Sequence, residues 1–237
     1  MINRNVLHRS LFTAAMMLLM VSSCTHNNNP VGYGGITGSS TILRVGSTLT
    51  FVLSMEDSGS FVGSQTYRVS VDSIHQSVDG KPDVSMWSNN NNGISQALIS
   101  YGPDRIDVNA SILLLPYSGT YGWVSFPFGY AGSVIETRRL DTSIYENGQY
   151  EEGRLRDTLQ NLGTEYVRVG GMPLQCVHLR GTEFIQLRIV QSSMTQTEEV
   201  IADYWYAPSI GYFVVQDRRD TYRSITEHLE LLAYYPN

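Results

Sequence analysis

The chain has 237 residues, 42% hydrophobic and 16% charged, with a formal net charge of −6 at pH 7. That hydrophobic share over this length excludes wholesale disorder and leaves room for a sizeable core. An acidic chain without a basic stripe argues against nucleic acid as a partner.

The first residues read as an address. Arg4 and Arg9 form a positive start, Leu11–Val21 is an apolar run of 11 residues, and Val21-Ser22-Ser23-Cys24 follows. A helix needs roughly 20 apolar residues to cross a bilayer, so this run is too short for an anchor helix and reads as a signal peptide. The small residues before Cys24 resemble the bacterial lipobox. The resemblance implies that residues 1–23 are removed and that Cys24 receives lipid. Without Arg4 and Arg9, 14 basic residues face 22 acidic ones, a net charge of −8. Pairing Cys24 with Cys176 would be the default for an exported chain. A lipidated Cys24 instead leaves Cys176 as a lone thiol. Thr25 is not the aspartate that would imply inner-membrane retention in enterobacterial sorting, so the expected address is the outer membrane facing the periplasm. The expected partner is the membrane, held through the lipid on Cys24.

Residues 24–41 are polar and rich in Gly, Asn and Ser, and read as a flexible tether. Residues 42–237 read as a single β-rich domain. An all-β fold of this length is commonly one domain. Strands are expected around Leu49–Met55, Gln65–Ile74, Val84–Trp87, Ile94–Tyr101 and Arg105–Val108. Asp79-Gly80 and Gly102-Pro103-Asp104 are the turns between them. The Asn89–Asn92 run with Gly93 reads as a loop tip. Ile112–Leu115 is an apolar run stopped by Pro116. Tyr117–Tyr130 is dense in aromatics and glycine, and reads as an irregular packed strand ahead of a cofactor-stacking surface. Val134–Tyr145 is expected to be extended. Glu151–Leu162 carries Leu155, Leu159 and Leu162 at i, i+4 and i+7, which fits a short helix, and a strand fits nearly as well. Strands follow at Tyr166–Val169, Leu174–Leu179 and Phe184–Val190, then a polar turn around Ser192–Thr197, with Ile225–Tyr234 closing the domain.

Glu198–Asp217 holds the strongest local signal. Val200–Tyr206 and Tyr212–Val215 flank Ala207-Pro208-Ser209-Ile210-Gly211, so the stretch reads as a β-hairpin. On the first strand Val200, Ala202, Tyr204 and Tyr206 share a face opposite Ile201, Asp203 and Trp205. Neither strand has a clean polar face, so both sides are expected to be covered.

The chain lacks a Gly-rich phosphate loop, a G-x-S-x-G elbow, an H-E-x-x-H helix and a C-x-x-C pair. His75, His178 and His228 share no ligand spacing. Cys176 and His178 point the same way on one strand at roughly 6–7 Å, beyond hydrogen-bond reach. The acidic pairs Glu151–Glu152, Glu198–Glu199 and Asp104/Asp107 read as solvated turn and edge residues. The doublets Arg138-Arg139 and Arg218-Arg219 read as basic groups that keep strand edges soluble. No catalytic residue, metal site or cofactor is expected, and the chain is read as non-enzymatic.

Glu165-Tyr166-Val167-x-Val169, Leu174-x-Cys176 and Tyr204-Trp205-Tyr206-Ala207-Pro208-x-x-Gly211 resemble a pattern in uncharacterised bacterial envelope lipoproteins. Met172, Leu174 and Leu49 depart from it. Those proteins are similar to LolA-like lipoprotein-carrier folds. The resemblance implies a mainly β architecture, a single strongly curved antiparallel half-barrel sheet wrapping one or two short helices around an apolar cavity. It implies that Tyr204, Trp205, Tyr206 and Phe213 either line a site for an apolar ligand or pack the core. The leading expectation is an envelope lipoprotein that binds an apolar ligand or assists envelope or lipoprotein handling. The alternative is a protein-interaction or surface-structural module with no ligand cavity.

Overall fold

The computed structural model describes residues 44–89, 95–102, 105–110, 123–128, 131–146 and 149–237. The expected signal peptide, Cys24, the whole tether, the expected loop tip from Asn90 to Gly93, the Ile112–Leu115 run and much of Tyr117–Tyr130 lie outside the described residues.

Among the described residues twelve strands form one antiparallel sheet: β1 (Thr48–Asp57), β2 (Ser60–Val78), β3 (Lys81–Asn89), β4 (Ser95–Tyr101), β5 (Arg105–Ala110), β6 (Val124–Pro127), β7 (Val134–Glu146), β8 (Gln149–Val169), β9 (Met172–Ile189), β10 (Met194–Ala207), β11 (Tyr212–Asp220) and β12 (Ile225–Tyr235). The spatial order is β6-β5-β4-β3-β2-β1-β12-β11-β10-β9-β8-β7. The sheet is therefore two meanders, β1–β6 and β7–β12, joined along β1 and β12. The last strand of the first meander, β6, comes back against β8. That contact nearly closes the sheet into a barrel.

This differs from the expected half-barrel wrapped around helices. Among the described residues the one helical element is a 3-10 turn, Val190–Ser192. The ambiguous Glu151–Leu162 stretch lies inside the long strand β8. Register shifts at Thr50/Phe51, Met55/Glu56, Val71/Ser73, Glu136/Arg138, Asn161/Gly163 and Trp205/Tyr206 supply local bends. Bulges strengthen twist and curl a sheet, which is how strands this long approach closure.

Alternation sets the core. Leu49 and Phe51 on β1, Val69 and Val71 on β2, Trp87 on β3, Ile99 on β4 and Ile106 on β5 are all buried in one apolar cluster. Tyr204, Tyr206 and Phe213 belong to the same cluster from the second meander. A smaller cluster of Val84, Met86 and Leu98 forms on β3 and β4, with Val78 and Trp123 packed against it. Asn89 ends β3, and the turns at Ser58-Gly59, Asp79-Gly80 and Gly170-Gly171 use positive-φ backbone. Arg138 and Arg139 fall on β7, an edge of the sheet. Arg218 and Arg219 do not: β11 is an interior strand, and Arg218 pairs with Glu227 at 2.9 Å.

Candidate functional site

The β10–β11 hairpin sits at the centre of the second meander. Its turn is closed by the Ile210 and Gly211 N–H groups donating to the Ala207 carbonyl at 3.0 and 2.8 Å. Gly211 has φ +77°, which a side chain would strain, and its carbonyl accepts the Tyr101 hydroxyl at 3.0 Å. Tyr101 in turn lies 2.8 Å from the Ser85 hydroxyl, which accepts the Trp87 indole N–H at 2.7 Å. Burial pushes the Tyr101 and Tyr212 phenols far above their ordinary range, so both stay neutral. This chain of hydrogen bonds fastens the hairpin turn to the first meander.

Four candidate aromatics occupy two faces. Tyr204, Tyr206 and Phe213 are fully buried. Phe126 on β6 packs against Tyr204 at 5.3 Å between ring centroids and against Phe213 at 5.2 Å. Phe128 stacks on Tyr206 at 4.9 Å. These contacts cross from the end of the first meander to the wall of the second, so aromatic rings fill the interior at this level. Trp205 stands on the opposite face, half-buried.

Trp205 anchors a polar network. Its indole N–H donates to Glu165 Oε1 at 2.6 Å, and its ring stacks on His178 at 4.4 Å with the planes 20° apart. His178 Nδ1 lies 2.9 Å from Glu165 and Nε2 lies 3.1 Å from Asp203. Arg180 grips the same Asp203 with a two-pronged fork, Nε at 2.8 Å and Nη2 at 3.0 Å. Both imidazole nitrogens of His178 thus meet carboxylate oxygens. Burial by itself pushes the Asp203 carboxyl up, but the hydrogen bonds and charges of His178 and Arg180 outweigh it and hold the group below the usual carboxylate range. Across the next ladder Asp203 faces Asp217, whose Oδ1 lies 2.5 Å from His228 Nδ1. That hydrogen bond raises the His228 pKa, against the opposing effect of burial. Glu165, His178, Asp203, Asp217 and His228 thus form an acid–base band across five strands.

This band ties strands together and offers no nucleophile. The Cys176 thiol donates to the Leu174 carbonyl at 3.6 Å, and burial pushes it up to about 12. His178 is engaged by carboxylates on both nitrogens. Of the acidic pairs, Asp107 is buried and held by Lys81 at 2.9 Å and by Ser125, Glu152 meets Arg188 at 3.6 Å, and Asp104 lies outside the described residues. Asp157 and Glu183 are buried opposite one another on β8 and β9. Among the described residues no group of three or more His, Cys, Asp or Glu is placed to hold a metal ion. Sequence reasoning set His178 aside and did not find this band. The signal was there in part: polar residues alternate at His178/Arg180 and again at Asp203, but only the register brings Glu165 to Trp205, 40 positions later.

No protein-family model matches the chain, and no curated protein matches it. Among solved structures it resembles a candidate lipoprotein of Parabacteroides distasonis, at 15% identity and TM-score 0.48, over 81% of this chain and 96% of that one. A candidate exported protein with a YmcC-like fold from Bacteroides fragilis gives 10% identity and TM-score 0.47, over 81% and 97%. The hypothetical lipoprotein YmcC of Escherichia coli gives 11% and 0.31, over 98% and 96%. Likenesses this loose say nothing about what the chain binds or does.

Proposed function

We propose that this chain is a lipid-anchored protein of the bacterial envelope, non-enzymatic, whose barrel serves as a structural or protein-interaction module and carries no apolar cargo. The anchor half rests on the lipobox-like Val21-Ser22-Ser23-Cys24 after a short apolar run. The second half rests on one observation: Phe126 and Phe128 bridge to Tyr204, Phe213 and Tyr206, where a carrier would keep apolar room. The buried, inert Cys176 and the fully engaged His178 support a non-catalytic role.

Metabolic labelling with radioactive palmitate tests the anchor: label is expected on the wild-type chain and absent from Cys24→Ala. Native mass spectrometry of the chain released from membranes in mild detergent tests the filled interior. The expected spectrum is the bare lipidated mass. A stoichiometric apolar adduct that survives in Cys24→Ala would overturn the module in favour of a carrier.

A further inference from the structure

The sheet has two edges, and they are unequal. β6 ends one side with four residues, Val124–Pro127, and lies against β8. β7 ends the other with thirteen, Val134–Glu146, and among the described residues it is paired to a strand along one side only, β8. A long outer strand presents a row of backbone donors and acceptors to an extended chain of matching register. Folds blunt such edges with short strands or with bulges. β6 is short, and β7 carries one bulge, at Glu136/Arg138. Beyond that bulge the nine residues Arg138–Glu146 keep unbroken register with β8, from Arg138↔Asp157 to Glu146↔Gln149. They make about 30 Å of regular edge.

We propose that this run pairs antiparallel with the same run of a second copy of the chain, about a two-fold axis at Thr142. The pairing deepens the interaction-module reading by naming the partner, and rests on it for what the contact serves. The register is not a free choice. A two-fold pair that uses the whole run is centred on its middle residue, Thr142, and the other partners follow by counting outward. Asp141 then stands opposite Ser143, Leu140 opposite Ile144, Arg139 opposite Tyr145 and Arg138 opposite Glu146. No like charges meet. The outermost positions set a cation opposite an anion, and the next set a cation opposite an aromatic residue, both favourable as cross-strand pairs. Centring on Asp141 instead would set that carboxylate against its own copy, which like charges directly opposite make unfavourable. Asp141, Ser143 and Tyr145 alternate along one exposed row, with Tyr145 at 70%. A foreign strand would have to reproduce this spacing of charge, and the chain's own copy does so by symmetry.

The test is disulfide trapping of the full chain in its own membranes, with copper phenanthroline as oxidant. Thr142→Cys stands opposite itself and is expected to give a covalent dimer on a non-reducing gel. Arg139→Cys and Tyr145→Cys each stand six positions from their own copies, about 20 Å along the strand, and are expected to give none singly. The double variant sets the two thiols opposite one another and is expected to restore the dimer. Cys176 is fully buried and does not compete. Sedimentation of the chain released in mild detergent is expected to show twice the single-chain protein mass. Tyr145→Lys, which sets like charges opposite Arg139, is expected to halve that mass, and Tyr145→Phe to leave it unchanged. A missing Thr142→Cys dimer, or dimers of equal yield from the single variants, overturns the pairing. A double mass that survives Tyr145→Lys places the contact elsewhere and overturns it too. A trapped dimer that carries a stoichiometric apolar adduct keeps the pairing and removes the module reading instead.

Discussion

Phe126→Ala is the sharpest probe of the closed interior. Phe126 sits on the four-residue strand β6, fully buried, and touches Tyr204 and Phe213 across the barrel. Truncating a core phenylalanine costs about 3–5 kcal/mol from lost transfer energy and the cavity left behind. Part of that is the two ring contacts, each worth about 0.5–1.5 kcal/mol beyond area. At about 2–4 °C per kcal/mol for a chain of this size, the melting midpoint should fall by about 6–20 °C. Urea unfolding followed by circular dichroism gives the free energy directly. Phe61→Ala, at a residue 66% exposed, is the control and should stay within about 0.5 kcal/mol of wild type. The truncation also opens an apolar void lined by Tyr204 and Phe213, which should take up a benzene-sized probe that wild type refuses. A loss below about 1 kcal/mol, or equal probe uptake by wild type, would refute a filled barrel.

Asp203→Asn removes the negative charge and one of the two acceptor oxygens that Arg180 and His178 engage, and should cost about 1–3 kcal/mol at pH 7 by urea titration. Because the folded carboxyl lies below its unfolded value, its contribution is present above the usual carboxylate range and fades as pH falls through the lowered pKa. The wild-type minus Asp203→Asn difference should therefore shrink in acid, and a pH-independent difference argues against the fork. His228 runs the other way. Its folded pKa lies above the ordinary 6.5, so its contribution is complete below that value and is lost as pH rises through the folded pKa. Stability of wild type against His228→Gln should converge on the alkaline side, and divergence there would sink the Asp217 pairing. A thiol-reactive disulfide at pH 8 should leave Cys176 untouched until the chain unfolds, given a thiol pushed up to about 12. Stoichiometric reaction in native buffer would show that the site is open.

The hairpin was legible because alternation and turn chemistry agree. Val200, Ala202, Tyr204 and Tyr206 are all nearly fully buried, as a shared face requires. The β8 stretch was not, for a simple reason: a spacing of four residues puts Leu155 and Leu159 on one face of a helix and on one face of a strand alike. Both are buried, whereas Leu162 is 36% exposed. A residue three further on falls on the other face of a strand, and the bulge at Asn161/Gly163 then resets the alternation. Closure was illegible because it depends on β6 meeting β8 and on a handful of bulges, neither of which leaves a local period. The acid–base band escaped for the same cause. Its members are ordinary polar residues until β8, β9 and β10 are laid side by side.

The strand order has a consequence for how the molecule is made. Every neighbouring pair in the sheet is also consecutive along the chain, except β1 with β12. Each meander can zip up from local hairpins, but the seam joins strands about as far apart as the sequence allows, which is the slowest kind of contact to form. During synthesis from the amino end, β1 must wait with a bare hydrogen-bonding edge until the last strand emerges. Asn237 fastens that seam: it donates its side-chain amide to the Val45 carbonyl at 2.7 Å and its backbone N–H to the Ser47 hydroxyl at 3.2 Å. Asn237 thus latches the approach to β1 from 190 positions away in the sequence.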